Sequence, residues 1–189
     1  MLSRVLLVTN AGPNIRESSP RQYLEQRRAG SPEAGLWNLL DRVHDPELPL
    51  LSIWEMGMLR DVRRSGDKVV VVLSPTYSGC PAMESIEAEI KSLLRGAGVA
   101  EIDVRTELTP AWGGDWISRE GMEKMRAWGI APPEDGELDV AGLLPRQGVR
   151  CPHCGSRETG LISEFGSTPC KALFRCNQCS EPFDYFKRL

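Results

Sequence analysis

Long apolar runs are missing from this chain, and that absence narrows its classes first. The opening stretch MLSRVLLVTNAG holds one arginine and a short apolar segment. It falls short of the about seven or more apolar residues of a secretory core, and far short of a membrane span. We therefore expect a cytoplasmic protein with no membrane partner. A net positive charge is also missing: 23 Lys and Arg stand against 26 Asp and Glu, for a formal net charge of −3 and an isoelectric point of about 5.5. Such a chain has no overall field with which to gather nucleic acid. Histidines number only two, and no Glu-x-x-His pair or GxGxxG loop occurs, so neither a di-iron helical bundle nor a dinucleotide site is encoded. Repeats and low-complexity tracts are absent as well. What remains, 41% hydrophobic and 26% charged, is ordinary globular composition.

The periodicities give an α+β organisation. Residues 1–31, broken by Gly12, Pro13, Pro20 and Gly30, read as a flexible leader with a short helix around Tyr23 to Arg28. From Pro32 to His44 the positions Leu36, Leu39, Leu40 and Val43 follow helical spacing, and the helix stops at DPELP. MLRDVRR and KVVVVLS flank SGD as two strands of a hairpin, the valine run suggesting a strand covered on both faces. After Cys80 and Pro81, Met83, Ile86, Ile90, Leu93 and Leu94 share one helical face. EIDVRTEL alternates as a third strand. A Trp-rich loop leads into a short helix capped by Ser118. The expected layout is thus a small helix–hairpin–helix–strand domain over 32–131, a linker over 132–149 and a zinc-ribbon-like module over 150–189.

The module carries Cys151 and Cys154, then, after twenty-one residues, Cys176 and Cys179. Two C-x2-C turns at this separation present four thiolates to a tetrahedral ion. Four thiolates leave no open position, so the site reads as closed, structural zinc, with iron in a rubredoxin-like cage as the competing occupant. Pro152 stiffens the first turn and Gly155 can take the positive φ that aims N–H groups at sulfur; CNQCS has no such glycine. About forty residues bury too little apolar surface to fold alone, so the metal should supply folding energy. His153 is expected to point outward. Cys170, a fifth thiol in the module, reads either as a small core residue or as a ligand. With five basic and four acidic residues from Cys151 onward, and a tetrathiolate zinc adding −2, the module suits a protein partner better than nucleic acid.

A second constellation is SPTYSGCPAMESIE. With Pro81 at the first helical position, Cys80 caps the helix, and unpaired N–H groups beside its sulfur should lower its pKa. The plain alternative is an inert buried cysteine. Neither histidine neighbours Cys80, which argues against a Cys–His hydrolase, although His44 could approach it in space. In HDPELPLL, Asp45 and Glu47 flank Pro46; they serve either as turn formers or, with Cys80, as hard and soft ligands for a transient iron ion.

DPELPLLSIWEMGMLRDV and SPTYSGCPAMESIEAEI resemble the small SufT-like domain associated with iron–sulfur cluster assembly. DWIS, GIAPP, CPHCG, SEFGSTPCKALFRC and CNQCSEPFDYFK extend the resemblance, over residues 33–189, to the PaaD/PaaJ family of the bacterial phenylacetyl-CoA epoxidase system of aerobic phenylacetate degradation. The resemblance implies a helper rather than an epoxidase: an accessory protein assisting maturation of iron or iron–sulfur centres. Its partners would be the catalytic di-iron subunit, the reductase or both. A stable, non-catalytic structural subunit is the alternative, and a homodimer bridging a cluster stays open. By position, the family's motifs fall on Asp45, Pro46 and Glu47, on Thr76, Gly79 and Cys80, and on the four ribbon cysteines, with Cys170 in the STPCKA-like stretch.

Overall fold

The computed structural model describes residues 18–134, 136–137, 144–146 and 148–188. Residues 1–17 of the expected leader and 135, 138–143 and 147 of the expected linker lie outside the described residues.

Helix α1, Pro20–Ala29, begins at a capping box in which the Ser19 hydroxyl accepts from Gln22 N–H while the Gln22 side chain accepts from Ser19 N–H. Its Leu24 is fully buried in the main core, and Arg27 reaches Asp61 at 2.7 Å. This part of the expected leader is packed, because one leucine and a buried-edge ion pair anchor it. Helix α2, Ala34–Leu40, is shorter than its apolar spacing suggests. The chain then turns, and DPELP forms a small hairpin of β1 (His44–Asp45) and β2 (Leu48–Ser52). Sequence spacing implies only a turn there, since Pro46 and Pro49 suppress strand propensity.

Strands β3 (Leu59–Ser65) and β4 (Lys68–Leu73) form the expected antiparallel hairpin. Helix α3, Ala82–Gly96, crosses over to β5 (Glu101–Thr106), which lies parallel to β4. Ala82, Ile86, Ile90 and Leu94 of α3 share one core with Val69, Val71 and Leu73. Val70 and Val72 are equally buried but stand outside that cluster; the valine run is therefore a strand covered on both faces.

Helix α4, Arg119–Ala127, is capped by Ser118, whose hydroxyl accepts from Gly121 N–H at 2.9 Å. It feeds β6 (Ile130–Ala131), the outermost strand of the C-terminal sheet. That sheet has the order β6-β9-β8-β7, with β7 at Thr159–Ser163, β8 at Lys171–Cys176 and β9 at Pro182–Phe186. The ribbon is thus not an appendage on a string. β6 pairs parallel with β9, and Phe186 is buried in the main core, edge-on to Trp112 with ring centroids 5.8 Å apart. Leu144 and Val149, from the expected linker, are buried in the ribbon core.

Gly57 sits where the Trp loop crosses the hairpin. Its φ is +69°, and a Cβ there would lie 2.3 Å from the Trp116 carbonyl oxygen. Both strain and collision oppose any side chain. Gly57→Ala should lower unfolding stability by about 2–4 kcal/mol, measured by denaturant titration; an unchanged midpoint would contradict this packing.

Candidate functional site

The ribbon's two cysteine turns are one turn built twice. Cys151 N–H donates to Ser156 O at 2.8 Å and Cys176 N–H to Glu181 O at 3.0 Å. The fourth residue after each leading cysteine has positive φ: Gly155 at 79° and Ser180 at 65°. Gly155 does so as its sequence implies. The second turn, lacking glycine, forces Ser180 into the same left-handed conformation, which costs an L-residue about 1–2 kcal/mol. Cys179 N–H points at Cys176 sulfur at 3.5 Å and favours its thiolate.

The four sulfurs lie within 4.8 Å of one another, with Cys151–Cys179 at 3.8 Å and Cys154–Cys176 at 3.5 Å. These separations are far too long for disulfides. They match the edge of about 3.8 Å that Zn–S bonds of about 2.3 Å give a tetrahedron. The donor set therefore fits zinc, and iron in a tetrathiolate cage would use the same donors. Cys151, Cys154, Cys176 and Cys179 would hold the ion and join the two turns. His153 is exposed and rests against Gly129.

The second site forms where the ribbon meets the hairpin of β1 and β2. Asp45 is 4% exposed, and its Oδ1 accepts from Glu47 N–H at 2.7 Å. Burial raises its pKa, against the backbone N–H groups of Glu47 and Leu48 and the charge of Lys171. Cys80, just before α3, is buried, with the Ala82 N–H and the Thr76 hydroxyl directed at its sulfur. Helix capping alone would make this thiol acidic. The opposite holds: burial raises its pKa, and the charges of Asp45 and Glu47 raise it further, outweighing the N–H and hydroxyl donors. The cap residue is in fact Pro81, one position later than the sequence suggests. His44 does not join this group; its Nδ1 meets Pro49 O at 2.8 Å.

Cys170 is where the structure adds most. The loop before β8 presents it beside Glu47, sulfur to Oε2 at 3.8 Å, while the Thr168 hydroxyl lies 2.9 Å from the same sulfur. Its backbone is fixed by Lys187 N–H, which donates to Cys170 O at 3.0 Å. Lys171 Nζ donates to Glu47 O at 3.4 Å, so ribbon and hairpin are bonded at this point. Burial pushes the Cys170 thiol up to about 11, Glu47 and Asp45 adding to the effect. Tyr77 is raised to about 12 by burial and by the same four groups, Cys80, Glu47, Cys170 and Asp45. One neighbourhood thus gathers two thiols, two carboxylates, Thr76 and Tyr77, with Lys171 as a nearby cation. Tyr77 and Lys171 carry no signal in the sequence, being recognisable only once both domains are in place.

Two outcomes follow. The chain should hold a single zinc ion, lost on Cys151→Ser or Cys176→Ser. Because Phe186 packs on Trp112, ribbon unfolding should also alter tryptophan emission; metal analysis with fluorescence checks this, and a red protein with stoichiometric iron would overturn zinc. In the metal-loaded chain, Cys80 should alkylate with an inflection above the reference of about 8.5, and Glu47→Gln should lower that inflection by removing a like charge. Peptide-resolved alkylation against pH reads both; an inflection below the reference would contradict the site's electrostatics.

Comparisons with known proteins follow this division. The family described as PaaD zinc beta ribbon domain matches residues 138–187, and the family described as iron-sulfur cluster assembly protein matches residues 33–104. Two solved structures are similar to about half of the chain: a domain of unknown function, DUF59, from Bacillus anthracis, and a conserved hypothetical protein from Thermotoga maritima. The first is 29% identical with a TM-score of 0.46, covering 49% of this chain and 90% of that one. The second is 25% identical with a TM-score of 0.43, covering 50% and 94%. Among the described residues, no helix is long and apolar enough to cross a membrane. An Escherichia coli (strain K12) protein, provisionally named as the D component of 1,2-phenylacetyl-CoA epoxidase, is 47% identical over 152 residues, spanning 80% of this chain and 90% of that protein. On that identity and coverage, this chain belongs to the PaaD family of phenylacetyl-CoA epoxidase components.

Proposed function

We propose that this protein is an accessory factor of a phenylacetyl-CoA epoxidase system that helps build the iron or iron–sulfur centres of its partner subunits and does not itself epoxidise. The observation that carries the reading is the Cys170 sulfur beside Glu47 Oε2 at 3.8 Å across the domain junction, with the charges of Asp45 and Glu47 acting on both Cys170 and Cys80. Soft thiols beside hard carboxylates suit ferrous iron or a small cluster held as cargo. Asp45, Cys80 and Cys170 are buried, and the charges of Asp45 and Glu47 oppose ionisation of both thiols until a cation joins them. Among the described residues, the ribbon cysteines alone form a set with ligand atoms all within 4.8 Å. Hand-over then needs ligand exchange without redox: metal–sulfur bonds to this chain break as bonds to the client form, and the thiols take up protons.

The ribbon has a surface for such clients. Its edge strand β7 leaves Leu161 and Ile162 exposed, and Phe165 follows. An apolar strip on an open sheet edge favours a protein partner, either the catalytic di-iron subunit or the reductase. The same strip also suits a permanent structural subunit, and one experiment separates the two roles.

Epoxidase purified from cells expressing only Cys80→Ala should contain its polypeptides but be deficient in iron or cluster, with activity reduced in proportion. The variant itself should stay folded and zinc-bound. Full metal occupancy of both partner subunits would overturn the maturation reading and leave the structural one.

A further inference from the structure

On the opposite side of the sheet from α3 lies a cavity of about 230 Å³ that the thiol site does not use. It opens between α1, β3, β4 and the loop after β5, and its lining includes Tyr23, Arg60, Asp61, Ser74, Glu107 and Trp116. The strand pairing explains how an arginine comes to be buried there. Leu59 pairs with Leu73 and Asp61 with Val72, so Arg60 is the extra residue of a β-bulge. A bulge re-aims a side chain that regular alternation would place elsewhere.

Arg60 is 9% exposed, and none of its three guanidinium nitrogens has a hydrogen-bond partner. The face of the guanidinium stacks on Trp116, 3.1 Å from the ring centroid. Stacking engages the face and leaves the N–H edge free. Ser74 is 2% exposed, and its Oγ is likewise unpartnered. Asp61 does not serve Arg60: its oxygens are bonded by Arg27, and the second also by Arg63. Burial brings Arg60 down to about 9, against the opposing pull of Asp115 and Tyr23. Neither of those groups hydrogen-bonds it.

We propose that this cavity is a binding site for a small oxyanion, a carboxylate or a phosphate, held by the N–H edge of Arg60 and the hydroxyl of Ser74. The guanidinium fork matches two oxygens of either group, and the serine supplies a further donor. The cavity is smaller than the about 300–1,000 Å³ of a drug-sized pocket, so it takes the anionic group of a ligand rather than a whole cofactor. A bound anion supplies the hydrogen bonds that this charge lacks and removes the cost of burying it alone. Trp116 and Asp115 belong to the segment that also carries Trp112, so an occupied cavity braces the loop against which the ribbon docks.

The test is thermal unfolding of the metal-loaded full chain, titrated with inorganic phosphate or with acetate at constant ionic strength. A saturable rise in midpoint is expected for at least one anion, and which anion acts identifies the ligand class. Arg60→Met should weaken that binding by about tenfold or more, and Ser74→Ala by less. Without anion, Arg60→Met should be no less stable than wild type, since it removes a buried unpaired charge. If Arg60→Met fails to fold, chemical-shift titration of wild type and Ser74→Ala decides instead: a shared response at Arg60, weaker in Ser74→Ala, supports the site. Absence of binding to either anion, or equal midpoint shifts in wild type and Arg60→Met, would overturn it. So would binding that appears only in Glu107→Gln, because the cavity would then be closed by the protein's own carboxylate.

Discussion

The pairing of β6 with β9, locked by Phe186 against Trp112, is the constraint on which the rest of this molecule depends. Without it the four-cysteine module would be a metal-stapled ribbon tethered by a linker. With it, the ribbon's Cys170 stands beside Glu47, and Lys171 bonds the same residue's carbonyl. Buried aromatic contact supplies the energy of docking, while the backbone ladder fixes its direction. A metal held by the four thiolates would act here at one remove: by joining the two cysteine turns it would hold β7, β8 and β9 in the shape that docks.

Electrostatics at the junction runs against stability and toward binding. Asp45 is raised by burial, so its folded pKa lies above its unfolded one. A carboxyl shifted that way favours the folded state when protonated, at acid pH, and opposes it once pH has risen through the folded pKa. At neutral pH the protein therefore retains a buried carboxylate at a cost. Cys80 and Cys170, also raised, remain neutral thiols under the same conditions. Functional sites commonly carry such costs, because the groups are arranged for a ligand rather than for each other. Arg60, buried without a hydrogen-bond partner, is the cationic counterpart on the other face of the sheet.

Much of this is legible in the sequence, and the misses have definite causes. Periodicity locates α3, the β3–β4 hairpin and β5, since each is amphipathic or buried along its length. C-x2-C spacing locates the four-cysteine cluster because one turn chemistry determines it, and even the imperfect second turn shows in the serine that stands at position 180 instead of glycine. Cys80, Asp45, Glu47 and Thr76 form a set by resemblance. Their electrostatics are not legible: capping is a local effect, whereas the burial that overrides it comes from elements distant in sequence. Cys170 is ambiguous for the same reason, being 123 residues from Glu47. Helix α1 packs through Leu24 and Arg27 amid proline and glycine signals that point to a loose segment. The Arg60 bulge is hidden altogether, because one extra residue in a strand leaves no compositional trace.

Residual dipolar couplings of backbone amides in the metal-loaded chain test the docked arrangement most directly. If β6, β9 and Phe186 hold the ribbon against the N-terminal domain, couplings from residues 34–127 and 148–188 will fit a single alignment tensor on this structure. Two tensors of different magnitude or orientation would mean that the domains move independently, and would remove the basis for placing Cys170 beside Glu47.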